Sequence, residues 1–326
     1  MNRLLVALLL NAWTLGIMAA AAPTVTDVTA KQRYPWNGLV DIKCKVAGIE
    51  DSKLYEFLVN AVMPDSGMTN KLSQFGVVQN GASQNNFKVT ANGDYHLIWD
   101  AKAELGSFLC TNMIVSVMLE VGAVQLWEGG PYWATANIGA ERPEDYGYYF
   151  WWGDTVGYKR ESDKWVASNG SNSDFSFSSG NTPTYNKSIS KLQSGGWITS
   201  DGVLAPEHDA ATAHWGGNWR MPTKDELSAL NNNCDWTWTT QNGVKGYVVK
   251  GRGDYASNSI FLPAAGYGRG TSLNDSGSGG YYWSSVPYSD GDYAWGLSFD
   301  SSGHDTYYYC GCDIGRSVRP VLGFTK

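Results

Sequence analysis

Residues His208 to Thr223 read HDAATAHWGGNWRMPT, and the punctuation of this stretch decides how the second half of the chain folds. Pro206, two residues upstream, suits a first helical turn, where its missing N–H has no intrahelical partner to lose. The alanines that follow favour the helix, so the spacing predicts one over Pro206–His214. Gly216 and Gly217 end it and permit a backbone approach ahead of Trp219 that a Cβ would forbid. Asp209 on the helix and Arg220 beyond the glycines read as a partly buried ion pair. After Pro222, Thr223 and Glu226 stand three apart, the spacing of a capping box, which predicts a second short helix over Thr223–Asn231.

Outward from these helices the chain becomes short aromatic strands and glycine turns. Most of the fifteen tryptophans fall after residue 126, so the C-terminal part, from about Trp127 to Lys326, reads as one α+β module with few helices. Ser168–Thr184 is rich in serine and asparagine and is expected to be an exposed loop. From Thr24 to Val121 the pattern is different. Alternating runs at Val40–Val46, Phe87–Val89, Tyr95–Trp99 and Ile114–Val121 are separated by turns such as Asn92-Gly93, which predicts an all-β, immunoglobulin-like sandwich over residues 24–121. Leu54–Met63 is compatible with a helix or a strand.

Residues 1–22 carry one cation, Arg3, an apolar run and a closing cluster of alanines. That order is the mark of a secretory signal peptide, so the protein is expected to be secreted or at the cell surface. A net charge of −7 speaks against nucleic acid and acidic membranes as partners, since both ask for a basic surface. In an exported chain the five cysteines read first as disulfides. Cys44 and Cys110 form the expected pair of the first domain, and Cys234 is expected to pair with Cys310 or Cys312.

Six segments of the second half, taken in order, carry a resemblance: Trp133–Ala140 (WATANIGA), Asp145–Asp154 (DYGYYFWWGD), His208–Thr223, Ser259–Arg269 (SIFLPAAGYGR), Gly280–Ser285 (GYYWSS) and Ser317–Val321 (SVRPV). Over residues 127–326 they resemble the Fibrobacter succinogenes major paralogous domain, a family of exported bacterial modules. The resemblance implies a C-type-lectin-like fold with two short helices, similar to both C-type lectins and formylglycine-generating enzymes. Fold alone selects neither function. Within it Asp209, Trp219, Arg220, Trp283 and Arg319 read as scaffold.

The chemical candidates divide the same way. Cys310-Gly311-Cys312 lies near the chain end, where formylglycine-generating enzymes place a copper-binding pair, but a single intervening residue separates these two. No HExxH spacing accompanies His208 and His214, no G-x-S-x-G elbow is present, and no acid/base pair stands out, so a catalytic set is not expected. Calcium is possible through Asp290, Asp292 and Asp300, because hard cations take several oxygens close in sequence. The lectin sugar-binding triplet and its Trp-Asn-Asp partner are absent. Aromatic stacking on sugar rings needs no metal, and Tyr282, Tyr288, Tyr293, Trp295 and Tyr307 are the expected ligand-binding aromatics, with Asp290 and Asp292 beside them. Arg252-Gly253-Asp254 spells an integrin-recognised tripeptide, a short and cheap match. The expected function is an exported recognition module or adhesin for a polysaccharide, a glycoprotein or an envelope protein. A structural subunit of an envelope or appendage is the alternative, and a copper-dependent oxidase the remote one.

Overall fold

The computed structural model describes residues 23–322 apart from 35–36, 52, 64–67, 73–74, 80–81, 85–87, 90, 107–112, 172–174, 179, 181, 217 and 289–291. The expected signal peptide, Cys110, Gly217 and Asp290 lie outside the described residues. The chain divides into two compact units, residues 1–122 and 123–326. Strands dominate both, with four α-helices among the described residues, so the class is α+β and mostly β. Among those residues no helix is long and apolar enough to cross a membrane.

The first unit is built from alternation. In the strand Leu39–Ala47, Val40, Ile42, Cys44 and Val46 point inward and the residues between them do not. Its neighbour Gly93–Asp100 does the same with Tyr95, Leu97 and Trp99. These two strands lie in a five-stranded antiparallel sheet with Thr24–Gln32 at one edge and Ala82–Gln84 at the other. Leu54–Met63, compatible from its sequence with a helix or a strand, lies in the strand Lys53–Met63, which contributes Tyr55, Phe57 and Val59 to the same core. The helix α1 (Ala101–Leu105) is one turn that the sequence did not announce; Asp100 caps it by accepting the Ala103 N–H.

In the second unit the first and last quoted motifs meet. Trp133 in Tyr132–Ala134 pairs with Val321, and Val321 pairs on its other side with Arg220. Residues 149–152 then divide two cores by period two. Tyr149 and Trp151 enter a cluster with Tyr158, Trp165 and Phe177, while Phe150 and Trp152 enter one with Trp283, Leu192 and Val318. The serine-rich tract is not only an exposed loop. It inserts Phe177 into the first cluster and stacks Phe175 on Tyr158 with ring centroids 3.5 Å apart. Two aromatics in a polar tract suffice, because each removes a large apolar area from water.

The helices also depart from expectation. The one predicted over Pro206–His214 is a 3-10 turn, Pro206–His208, followed by α3 (Ala210–Trp215). Asp209 separates them, since its extended backbone and its carboxylate start a new helix by accepting the Ala211 and Thr212 N–H groups at 2.8 and 3.0 Å. Gly216 ends α3 at φ 64°, and no atom stands within 4 Å of where a Cβ would be. Its glycine serves conformation, not close approach. A further helix, α2 (Ile189–Ser194), precedes them, and α4 (Lys224–Asn233) begins with the predicted capping box.

Candidate functional site

Three antiparallel strands, Gly279–Pro287, Tyr293–Asp300 and Gly303–Gly311, form one sheet near the end of the chain. Tyr288 closes its first hairpin by donating its backbone N–H to the Tyr293 carbonyl at 2.8 Å. In the third strand Tyr307 and Tyr309 are 69% and 46% exposed, whereas Tyr308 between them turns to the opposite face. Trp295 stands across from Tyr309 in the register, and Tyr293, two residues away, shares its face.

The rings on that exposed face touch. Tyr288 stacks on Tyr309 with centroids 4.2 Å apart and meets Trp295 edge-on at 4.9 Å. Trp295 in turn lies 6.3 Å from Tyr307, and Tyr293 lies 5.7 Å from Tyr309. Lys224, the first residue of α4, places its ammonium nitrogen 3.7 Å from the Trp295 centroid and 4.9 Å from that of Tyr307. The result is a connected platform of five aromatic rings with a cation at its edge.

Tyr288, Tyr293, Trp295 and Tyr307 are thus brought together, and Tyr282 is not. It is 1% exposed, stacked near Phe299, with its hydroxyl donated to the Pro263 carbonyl at 3.0 Å. Tyr282 and its neighbour Trp283 lie on opposite faces of the strand and both are buried. Of the three acidic candidates, the two described ones do not converge either. Asp292 is half-buried beside Tyr293, with one carboxylate oxygen unpartnered among the described residues. Asp300 closes the far end of the same strand and accepts the Ser302 N–H at 2.7 Å. Eight residues of extended chain hold the two about 26 Å apart. Among the described residues no three His, Cys, Asp or Glu side chains gather as a metal site.

The scaffold residues are largely used up by structure. Asp209 spends its second oxygen on the Met221 N–H at 2.8 Å, and burial raises its carboxyl above the ordinary range. Arg220 does not pair with it. The guanidinium holds Glu226 instead, at 2.7 and 2.5 Å, because the capping box already brings that carboxylate to Thr223. Trp219 is buried against Trp215. The Trp283 indole donates to the Phe150 carbonyl at 2.9 Å. Arg319 is buried and donates to Asn137 Oδ1 and to the Ala134 and Phe261 carbonyls, while burial pulls its guanidinium down to about 10. Arg316, three residues earlier, lies 4.6 Å over the Trp283 ring and 4.9 Å over Tyr308, with Nε and Nη1 unpartnered among the described residues.

The expected bridge from Cys234 is not formed. Cys44, Cys234, Cys310 and Cys312 are free thiols, Cys234 buried at the end of α4 and Cys312 buried in the cluster of Trp152 and Trp283. Burial pushes the Cys44 and Cys234 thiols up to about 12 and raises Cys312 further. Such thiols are poor nucleophiles and poor metal ligands. His208 stacks on Trp197 at 3.9 Å and His214 contacts the Thr155 carbonyl at 2.8 Å. Arg252 lies on the surface and donates to Asp235 and to the Asn232 and Cys234 carbonyls, so its guanidinium is engaged within the chain.

Two platform members escaped the sequence. Tyr309 carried a signal, its period-two partner Tyr307. Lys224 carried none, because its place over Trp295 depends on how α4 seats on a sheet formed some seventy residues later. Elsewhere in this unit an open groove of about 440 Å³ is lined by Glu141, Asp145, Lys159, Arg160 and Glu161, whose mixed charges point to no single chemistry.

A family described as a domain of unknown function, DUF8237, matches residues 235–321. That span holds all five rings of the platform and leaves out Lys224. No curated protein and no solved structure matches the chain.

Proposed function

We propose that this is an exported, non-catalytic carbohydrate-recognition module whose ligand packs on the rings of Tyr288, Tyr293, Trp295, Tyr307 and Tyr309. The observation that carries the reading is the contact of these rings on one exposed face, with Tyr293, Tyr307 and Tyr309 each more than a third exposed. Large aromatics left in water cost free energy that a ligand recovers. Sugar rings suit them, since C–H faces pack on the π surface while phenol and indole groups bond hydroxyls. The ordered motifs support a C-type-lectin-like second domain, the alternating strands of residues 24–121 support an immunoglobulin-like first one, and residues 1–22 support a secreted or cell-surface protein. Contact of this kind requires no calcium.

Screening the full chain on a glycan array tests the reading. Binding that is lost when Tyr293, Trp295 and Tyr307 are changed together to alanine, in a protein that unfolds at the same temperature as the parent, supports it. If no glycan binds and an envelope protein co-purifies, the structural-subunit reading replaces it.

A further inference from the structure

Lys224 sets its ammonium group against the aromatic platform. It enters no ion pair among the described residues, and its ammonium group rests against two ring faces. The carboxylates nearest in sequence on α4 are Asp225, which faces solvent, and Glu226, which is committed to Arg220 and to the capping box. From the sheet, Asp305 lies two residues before Tyr307 and accepts that residue's N–H at 2.8 Å. The rings shield one side of the ammonium from water, and a cation–π contact uses its charge but not its three N–H donors. Those donors are set at the border of the platform.

The inference rests on the carbohydrate reading and narrows it. We infer that the ligand is an acidic polysaccharide, with a uronate carboxylate meeting Lys224 while its sugar ring packs on Tyr307 and Trp295. Charge complementarity at the platform's edge, and not over the whole chain, favours this occupant. The chain as a whole carries −7, so a polyanion is repelled at long range and must be drawn by a local cation. A single lysine matches one carboxylate per bound sugar, whereas nucleic acid would need a row of phosphate contacts. A neutral sugar would leave the ammonium donors with water alone.

Oligomers of galacturonate, glucuronate and mannuronate, each compared with its own methyl ester, isolate the carboxylate charge at constant ring shape. Calorimetric titration of the full chain is expected to show at least tenfold tighter binding of one acid form over its ester. The preference should disappear in Lys224→Met, survive in Lys224→Arg, and weaken as salt is raised to about 0.5 M. Equal affinity for acid and ester, or a preference that persists in Lys224→Met, overturns the inference and leaves the platform reading standing. Binding confined to neutral glycans on the array does the same. If nothing on the array binds, the platform reading falls and takes this inference with it. Unchanged unfolding temperatures in the Lys224 variants show that α4 is intact.

Discussion

Arg220 and Glu226 form a two-bonded fork, and one oxygen of the same carboxylate also accepts the Thr223 N–H at 2.8 Å. Glu226 therefore ties the short strand Trp219–Arg220 to the first turn of α4, the turn that carries Lys224. Replacing Glu226 with alanine removes the fork and half of the capping box, and about 2 kcal/mol of stability should go with them. Chemical denaturation measures it. Lys224→Met, which touches neither bond, should leave the midpoint nearly unchanged.

Arg316 and Arg319 are both buried, and their substitutions should differ. Arg319→Met leaves Asn137 and two carbonyls without donors and should cost about 3–5 kcal/mol. Arg316→Met removes a buried charge with two N–H groups unpartnered among the described residues and offers an apolar side chain to the surrounding rings in its place, so its change should stay within about 1 kcal/mol. Urea midpoints of the two variants, compared side by side, decide the matter.

Tyr282 and Tyr307 should separate stability from binding. Tyr282→Phe deletes a hydroxyl that donates to the Pro263 carbonyl, costing about 1 kcal/mol with ligand affinity unchanged. Tyr307→Ala acts at a residue 69% exposed, so stability should move by less than about 0.5 kcal/mol while affinity falls tenfold or more. A paired thermal scan and glycan titration of each variant gives both numbers.

In the first unit Asp41 is held by Arg33 and His96, and the Arg33 hydrogen bonds above all lower its carboxyl to about 2. The folded value lies below the unfolded one, about 3.9. The contribution is therefore complete above about pH 4 and is lost as pH falls toward 2. Asp41→Asn should flatten the acid limb of the unfolding temperature over that window. An unchanged acid limb would show that the triad adds nothing.

What the sequence disclosed follows from the range of each interaction. The start of α4 was legible because a capping box is complete within four residues, and the inward strands of the first unit because period two is local. The Asp209–Arg220 pairing was misjudged since opposite charge does not say which carboxylate is nearer, and Glu226 was. Phe175 and Phe177 were hidden by the average composition of the tract around them. Tyr282 was misassigned because both faces of its strand are aromatic, so composition could not tell core from surface. The platform was legible ring by ring and not as a platform, which exists only through the register of three strands and the seat of α4.

The alternation of Tyr307, Tyr308 and Tyr309 divides one strand between two masters. Tyr308 lies against Arg316, while its neighbours face outward. Substitution at 307 and 309 can thus change the exposed face without disturbing the interior, yet inserting or deleting one residue would exchange lining for surface at every later position. The strand is thus free to vary at alternate residues and constrained against any change in its length, so one frame can carry many different faces.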